Sequence, residues 1–325
     1  MTDVSFIPRD NRAGAVFGAT VLRAAVALLV LCALVAALML TSCSSDGEGD
    51  AADGSAGEAP ADATEAAITL EPGTLIVASA LNHEPYEQAT STSQNGFTID
   101  LLNLLGKKAG LSVEFGKAVN HKDEAQNITE GTSADVAAKV VEGSADLGAS
   151  TMRTDEALEG VAFTDGYLVA NLVVVTKMDT DHDEMTSLEG GGVKVAVSGD
   201  DAAAWVAENL PNAEVVTVAN DVDALIEVNS ELAQAAVVDE PLHRRYIKVK
   251  EPHLQALETT PLVREYGFAV AADNAALLAA MNEALAAVQA DGSYDELYEK
   301  WFGDAPEAGA ATRPAPEAVQ DSTGA

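Results

Sequence analysis

Short apolar segments alternate with segments of helical spacing from about residue 75 to residue 303, and this alternation limits the possible folds more than any other feature. Leu75–Ala78 and Val193–Val197 are apolar-rich runs of strand length. Ile99–Ala109 is a longer segment with helical periodicity that stops at Gly110. Strands separated by helices are typical of βαβ units and mostly parallel sheets. The sequence therefore predicts an α/β fold.

The pattern divides into two sets of strands and helices, followed by a helical pair. Predicted strands cover residues 75–78, 112–115, 145–149, 172–175, 193–197, 215–218 and 235–238. Predicted helices in the two sets cover residues 99–109, 135–141, 202–209 and 222–228. Two α/β sets and a returning helical pair predict two lobes, with the chain crossing between them twice.

The helical pair is the clearest local pattern. Apolar residues between Leu277 and Val288 recur at helical spacing, and Asp291-Gly292 breaks that helix. Ser293 to Glu296 matches a capping box, which predicts a second helix through Trp301 that ends at Gly303.

The N-terminal region has the pattern of an export signal. Arg9, Arg12 and Arg23 precede an uncharged apolar run, Ala24–Leu40, which leads into Thr41-Ser42-Cys43. Leu40 to Cys43 resembles a bacterial lipobox, in which the signal is cleaved before the cysteine and lipid is attached to its thiol. The alternative is a retained transmembrane helix, for which 17 apolar residues are at the short limit. We expect residues 1–42 to be a signal peptide, and the chain to be anchored by lipid on Cys43 at the extracytoplasmic face of the cell membrane.

Charge and cysteine content exclude several kinds of partner. The chain has a formal net charge of −34, and without residues 1–42 it keeps 15 Lys+Arg against 50 Asp+Glu. Such an acidic surface repels nucleic acid and anionic headgroups, so we expect no nucleic-acid partner. Cys32 leaves with the signal and Cys43 carries the lipid, so the remaining chain has no disulfide and depends on its core.

Both ends of the exported chain lack large apolar residues. Residues 43–73 and residues 304–325 are rich in Ala, Gly, Asp, Glu and Pro, and cannot bury enough surface to fold. The composition predicts a disordered tether before the folded part and a disordered tail after it.

The folded part carries an ordered series of short motifs. In chain order they are His83-Glu84-Pro85-Tyr86, Gly96-Phe97-Thr98-Ile99-Asp100-Leu101-Leu102, Gly143-Ser144-Ala145-Asp146-Leu147, Phe163-Thr164-Asp165-Gly166-Tyr167, Val237-Val238-Asp239-Glu240-Pro241 and Asp291-Gly292-Ser293-Tyr294 with Trp301-Phe302-Gly303. This series resembles the bacterial extracellular solute-binding proteins of family 3, the polar amino-acid receptors of ABC importers.

The resemblance implies a two-lobed periplasmic-binding-protein fold whose lobes close over a small solute. Lobe 1 would comprise residues 74–166 plus 267–303 and lobe 2 residues 172–261, with hinge crossovers near 167–171 and 262–266. The closed form would dock on a membrane permease. We expect a monomer that is not an enzyme, with no catalytic residue, cofactor or metal ion.

The resemblance also implies ligand contacts. Tyr86 takes the place of the aromatic residue that packs on the ligand, and Asp239 that of the carboxylate that binds its ammonium group. A core position for Tyr86, and a helix N-cap before Pro241 for Asp239, are the alternatives. Glu84 and the loop carrying Ser150, Thr151 and Arg153 are the other first-lobe candidates.

The carboxylate end of the family site departs from the pattern. Ala157 stands where the family has an arginine that grips the ligand carboxylate, and Asp200 and Asp201 stand where it has hydroxyl side chains. A ligand carboxylate ~4 Å from such an aspartate would cost ~4 kcal/mol at an effective dielectric of 20. The departure favours a cationic or neutral solute among Glu84, Asp200, Asp201 and Asp239. Two alternatives stay open, since Arg153 could replace the lost arginine and the two aspartates could merely cap a helix.

Two other functions remain possible on this sequence. The same fold includes a few dehydratases of cyclohexadienyl acids, and a receptor of this kind could serve as a surface sensor or scaffold without transport. The acidic segment 179–184 lacks the later glycine and glutamate of a calcium loop, so a solvated loop is expected there.

Overall fold

The computed structural model describes residues 68–122, 127–250 and 252–303. The predicted signal peptide, Cys43 and the predicted tail lie outside the described residues. Within the described ranges, no helix combines the length and the apolarity needed to cross a bilayer.

The described residues form seven α-helices, fourteen strands and a 3-10 turn at Met185–Leu188. The helices are α1 (Phe97–Ala109), α2 (Ser133–Val141), α3 (Asp200–Asn209), α4 (Asp221–Asn229), α5 (Glu240–Val249), α6 (Ala275–Ala290) and α7 (Ser293–Phe302). The strands are β1 (Thr74–Ala78), β2 (Asn82–His83), β3 (Glu87–Ala89), β4 (Gln94–Asn95), β5 (Ser112–Phe115), β6 (Asn120–Lys122), β7 (Ile128–Glu130), β8 (Leu147–Arg153), β9 (Val161–Phe163), β10 (Leu168–Lys177), β11 (Lys194–Val197), β12 (Glu214–Thr217), β13 (Ala235–Asp239) and β14 (Leu254–Ala271).

One nine-stranded sheet joins two parallel sets of strands. Its order is β12-β11-β13-β10-β14-β8-β1-β5, with β9 also paired to β14. Strand β11 is parallel to β12 and β13, and β1 is parallel to β5 and β8. We call the half with β1 to β9, α1, α2, α6 and α7 the first lobe, and the half with β11 to β13 and α3 to α5 the second lobe.

The long antiparallel pair β10 and β14 connects the lobes. Leu168 pairs with Tyr266 and Asn171 pairs with Val263, so the two segments predicted as hinge crossovers are neighbouring strands rather than loops. Because β14 pairs with β10 at one end and with β8 and β9 at the other, one 18-residue strand belongs to both halves. The predicted α/β fold with two crossovers is confirmed, and the residue limits of the lobes stay a prediction.

Helix beginnings differ from the sequence predictions because of capping. Helix α1 begins at Phe97, two residues earlier than predicted, after Gly96 at its N-cap. Helix α2 begins at Ser133, because Thr132 and Asp135 form a capping box. The capping box predicted at Ser293 is wrong: Gly292 is the N-cap of α7, and Ser293 is its first helical residue.

The last residues of the predicted tether are packed on the first lobe. The Leu70 amide donates to Asp146 Oδ1 at 2.6 Å, and Asn274 Nδ2 donates to the Ile68 carbonyl at 3.0 Å. Thr69 is buried. Residues 68–73 therefore belong to the folded part, which corrects the predicted tether limit.

Aromatic side chains of α7 pack around the start of α1. The Phe97 ring lies 5.9 Å from Tyr294, 6.3 Å from Tyr298 and 5.0 Å from Phe302, measured between ring centroids. Phe302 also lies 5.9 Å from Tyr86. The C-terminal helix thus supports the segment that carries Tyr86.

Candidate functional site

A cleft with a cavity volume of about 230 Å³ lies between the two lobes. The first lobe contributes the segment around Tyr86 and the end of β8, and the second contributes residues that follow β11 and β13. Strand β14 contributes Arg264 and Tyr266. Ligands of open α/β sheets bind at the carboxyl ends of strands, which is where this cleft lies.

Most of the residues predicted to contact a ligand line this cleft. They are Glu84, Tyr86, Ser150, Thr151, Arg153 and Asp239. Asp200 does not line it, because this residue is exposed in the first turn of α3. The structure brings the other six together, and their roles as ligand contacts stay a prediction.

Tyr86 is fixed by the backbone at the start of α1. The Phe97 amide donates to the Pro85 carbonyl at 3.0 Å, and the Thr98 amide donates to the Tyr86 carbonyl at 2.9 Å. Gly96 has a φ of 148°, and a Cβ there would lie 2.0 Å from the Tyr86 carbonyl oxygen. The Gly-Phe motif therefore needs its glycine because the two chain segments approach so closely.

Asp239 lies at the carboxyl end of β13 and is 2% exposed. Its Oδ2 accepts hydrogen bonds from Tyr266 Oη at 2.6 Å and Tyr86 Oη at 3.2 Å, and its Oδ1 accepts one from Arg264 Nη1 at 3.3 Å. Asp239 is the N-cap residue of α5, as the alternative predicted, but its side chain makes no capping hydrogen bond to the helix. Burial, reinforced by the charge of Asp221, raises the pKa of Asp239 to about 7.

Arg264 is the central residue of the cleft, and sequence reasoning missed it. Its Nε and Nη2 donate to Asp201 at 3.0 and 3.1 Å, and Nη2 also donates to the Ser198 carbonyl at 2.7 Å. Its Nη1 donates to Asp221 at 3.1 Å and to Asp239. Each of the five N–H groups of the guanidinium therefore has an acceptor within the protein. Successive side chains of β14 point to opposite faces of the sheet, which puts Arg264 on the buried face with Tyr266. This two-residue period is the sequence signal from which Arg264 could have been predicted.

Arg153 is the second guanidinium of the cleft. Its Nε and Nη2 donate to Asp155 at 2.9 and 2.7 Å, and Nη1 donates to Asp201 of the second lobe at 2.9 Å. The hydrogen bond to Asp155 is the main cause that raises the pKa of Arg153. Within the described residues, one N–H of Nη1 and one N–H of Nη2 have no hydrogen-bond acceptor, so two donors of Arg153 are available to a ligand.

The carboxylates predicted to surround a cation are mostly paired within the protein. Arg264 contacts Asp201 and Asp239, and Lys250 Nζ donates to Glu84 Oε2 at 2.6 Å. Asp200 does not line the cleft and the other three acids each have a cationic partner, so their arrangement around a ligand cation stays a prediction. The cleft has both signs of charge, and its acidic side is Asp221 and Asp239 around Arg264.

The match to a known family covers the folded part of the chain. A sequence model of the bacterial extracellular solute-binding proteins, family 3, matches residues 75–304. The ABC transporter glutamine-binding protein GlnH of Bacillus subtilis (strain 168) is 29% identical over 154 residues, which are 47% of this chain and 56% of that protein. The arginine-binding extracellular protein ArtP of the same organism is 27% identical over 232 residues, 70% of this chain and 86% of that protein.

A solved structure agrees with the sequence match. The chain superimposes on an ancestral cationic amino acid solute-binding protein, AncCDT-1, with a TM-score of 0.59 at 30% identity, covering 71% of this chain and 96% of that one. The two lobes and the shared sheet are thus those of amino-acid-binding proteins, and the matched family and relatives are binding proteins rather than enzymes. The chain belongs to the bacterial extracellular solute-binding proteins, family 3.

Proposed function

We propose that this protein captures a polar amino acid, or a related amine, in the cleft and delivers it to an ABC permease after the lobes close. The observation that carries the proposal is the position of Asp239, buried between the lobes and aligned by two tyrosine hydroxyls. An ammonium group that donates to this carboxylate would gain ~1.5–3 kcal/mol from a charge-assisted hydrogen bond.

The names of the relatives support an amino-acid ligand. Glutamine and arginine are bound by the two Bacillus subtilis proteins, and a cationic amino acid by the ancestral protein, according to their names. These ligands share an α-ammonium group and a polar side chain. A carboxyl-free amine remains the alternative ligand, since Ala157 replaces the family arginine.

The proposed place of action is the outer face of the cell membrane. Extracellular location follows from the family, and the lipobox-like Leu40 to Cys43 supports an anchor of lipid on Cys43. A tethered receptor stays close to the permease that it serves.

A thermal-shift panel on the exported chain tests the ligand class. The panel contains polar and cationic amino acids, their carboxyl-free amines, and sugars as controls. A ligand at 100 times its dissociation constant adds ~2.7 kcal/mol to the free energy of unfolding, so it should raise the melting temperature visibly. We expect at least one amino acid or amine to do so. Stabilisation by sugars alone, or by no compound of the panel, would contradict the proposal.

A further inference from the structure

We propose that His83 and Arg153 form a subsite in the first-lobe wall that receives the carboxylate of the ligand. The ligand would then be a zwitterionic amino acid rather than a carboxyl-free amine. This inference rests on the proposed function, and it replaces the missing arginine with a different pair of cations.

The first lobe contains a buried acid, Glu87, that has no role in the site described above. Glu87 is 0% exposed. Its Oε1 accepts a hydrogen bond from Thr151 Oγ1 at 2.5 Å and lies 3.5 Å from His83 Nδ1. Its Oε2 is buried and has no hydrogen-bond partner among the described residues.

A carboxylate in this position needs a positive charge beside it. An unpaired buried charge is expensive, and ions buried in proteins are paired. Within the described residues, His83 is the cationic side chain that forms an ion pair with Glu87. We therefore assign His83 as an imidazolium whose Nδ1–H points to Glu87.

The charges around His83 agree with this assignment. Burial by itself would lower the pKa of His83, but the interaction with the carboxylate of Glu87 on β3, 3.5 Å away, outweighs it. Glu130 on β7 and Asp221 on α4 act in the same direction, so the pKa lies above its ordinary value. Arg153 on β8 lines the same cleft as His83, as do Glu84 and Glu156.

The other ring nitrogen is available to a ligand. His83 lines the cleft and its side chain is 30% exposed. Its Nδ1 is buried and faces Glu87 as a 3.5 Å ion pair without hydrogen-bond geometry, whereas Nε2 is not among the buried unpartnered atoms of the described residues. An imidazolium held by Glu87 therefore presents an Nε2–H donor to the cleft.

Arg153 adds a second donor to the same wall. Thr151, which bonds to Glu87, is two residues before Arg153 on β8, so the strand that contacts Glu87 also carries Arg153. Arg264 cannot take this role, because all of its donors are engaged with Asp201, Asp221, Asp239 and Ser198. The first-lobe wall thus carries two cationic side chains beside Glu84, which is paired with Lys250, and Glu156. Asp239 on the second lobe offers the acceptor for the ammonium group of the same ligand.

The test compares an amino acid with its decarboxylated amine by isothermal titration calorimetry. Arginine and agmatine are a suitable pair, with glutamine and 4-aminobutanamide as a second one. The measured quantity is the ratio of the two dissociation constants, because the contribution of Asp239 to ammonium binding cancels in that ratio. In the wild-type protein below pH 6.5 we expect the amino acid to bind roughly 10-fold or more tightly than the amine, the size of one charge-assisted hydrogen bond.

Three variants separate the subsite from a general effect on folding. In His83→Gln the preference for the amino acid should fall by roughly 10-fold and lose its pH dependence. Glu87→Gln removes the charge that holds the proton on His83, so the pKa of His83 should fall. The preference for the amino acid over the amine should therefore be lost at a lower pH than in the wild type. His121→Gln is the matched control: His121 pairs with Asp135 at 3.0 Å in the same lobe but does not line the cleft, so the ratio should not change.

The outcomes distinguish this inference from the proposed function. Equal binding of amino acid and amine by the wild type, or an unchanged ratio in His83→Gln, overturns the subsite and leaves the proposed function standing. If neither pair binds, the comparison is made with the amino acid that stabilises the protein in the thermal-shift panel; a protein that no compound of that panel stabilises overturns both proposals. If His83→Gln does not fold, the shift of the pH midpoint in Glu87→Gln decides.

Discussion

At the scale of single residues, the cleft is organised by one arginine among three aspartates. Asp201, Asp221 and Asp239 come from three different elements of the second lobe, and Arg264 reaches all of them from β14.

Asp239 and Tyr86 could be predicted from the sequence, because Asp239 follows a predicted strand and Tyr86 precedes a predicted helix, each within a short motif. Arg264 could not, since its partners are 25 to 63 residues away and only the folded sheet brings them together.

The raised pKa of Asp239 predicts how stability depends on pH. The folded state keeps a proton on Asp239 up to about pH 7, whereas the unfolded chain releases it near the ordinary value of ~3.9. The folded state therefore binds more protons in between, and this residue's contribution to the free energy of unfolding falls as the pH rises through that window.

Replacing Asp239 by Asn should remove that contribution. We expect urea unfolding of Asp239→Asn to show a smaller loss of stability than the wild type between pH 4 and pH 7. Asp273→Asn, at an exposed position outside the cleft, is the control and should keep the wild-type slope. A wild-type slope in Asp239→Asn would contradict the raised pKa.

At the scale of secondary structure, α7, the last helix of the described residues, packs against the segment that carries Tyr86. Its apolar pattern was readable from the sequence, since Tyr294, Leu297, Tyr298 and Trp301 are all buried as the helical spacing predicts. The short strands β2 to β4 were not readable, because two- or three-residue strands have no periodicity to detect. Helix α5 was also missed: its residues are mostly polar or charged, with only four buried.

Phe302 is the residue through which α7 reaches the cleft. Its ring contacts Phe97, Tyr298 and Tyr86 at centroid distances of 5.0, 4.9 and 5.9 Å. Phe302→Ala should lower the free energy of unfolding by about 3–5 kcal/mol, as for other buried phenylalanines. Glu299→Ala, on the exposed face of the same helix, should change it by less than about 0.5 kcal/mol. Equal losses in the two variants, measured by urea unfolding, would refute this role of α7.

At the scale of the whole molecule, side-chain hydrogen bonds among the described residues bridge the lobes across the cleft. Arg153 bonds to Asp201 at 2.9 Å, Glu84 to Lys250 at 2.6 Å and Tyr86 to Asp239 at 3.2 Å. Each joins a residue of the first lobe to one of the second, so they stabilise the closed arrangement. Exposed ion pairs contribute ~0.2–1 kcal/mol each, enough to shift an open–closed equilibrium several-fold but not to lock it.

Salt should therefore open the ligand-free protein. Fluorescent labels on cysteines introduced at Lys117 and Glu208, both exposed, report the separation of the lobes. We expect energy transfer to fall between low salt and about 1 M salt, where the Debye length is about 3 Å. Labels at Lys117 and Glu159, within the first lobe, are the control and should not respond. A fall in both label pairs would indicate unfolding, and a constant signal in the first pair would contradict the role of the ion pairs.

The measurement that tests the central claim most directly is calorimetric titration of polar amino acids into the wild type, Asp239→Asn and Asp273→Asn. If Asp239 holds the ligand's ammonium group, Asp239→Asn should bind roughly 10- to 150-fold more weakly at about pH 8, where a group with a pKa of about 7 is mostly ionised, because one charge-assisted hydrogen bond is lost. Asp273→Asn should bind as the wild type does. Equal affinity of Asp239→Asn and the wild type, or no binding of any amino acid by the wild type, would contradict the account.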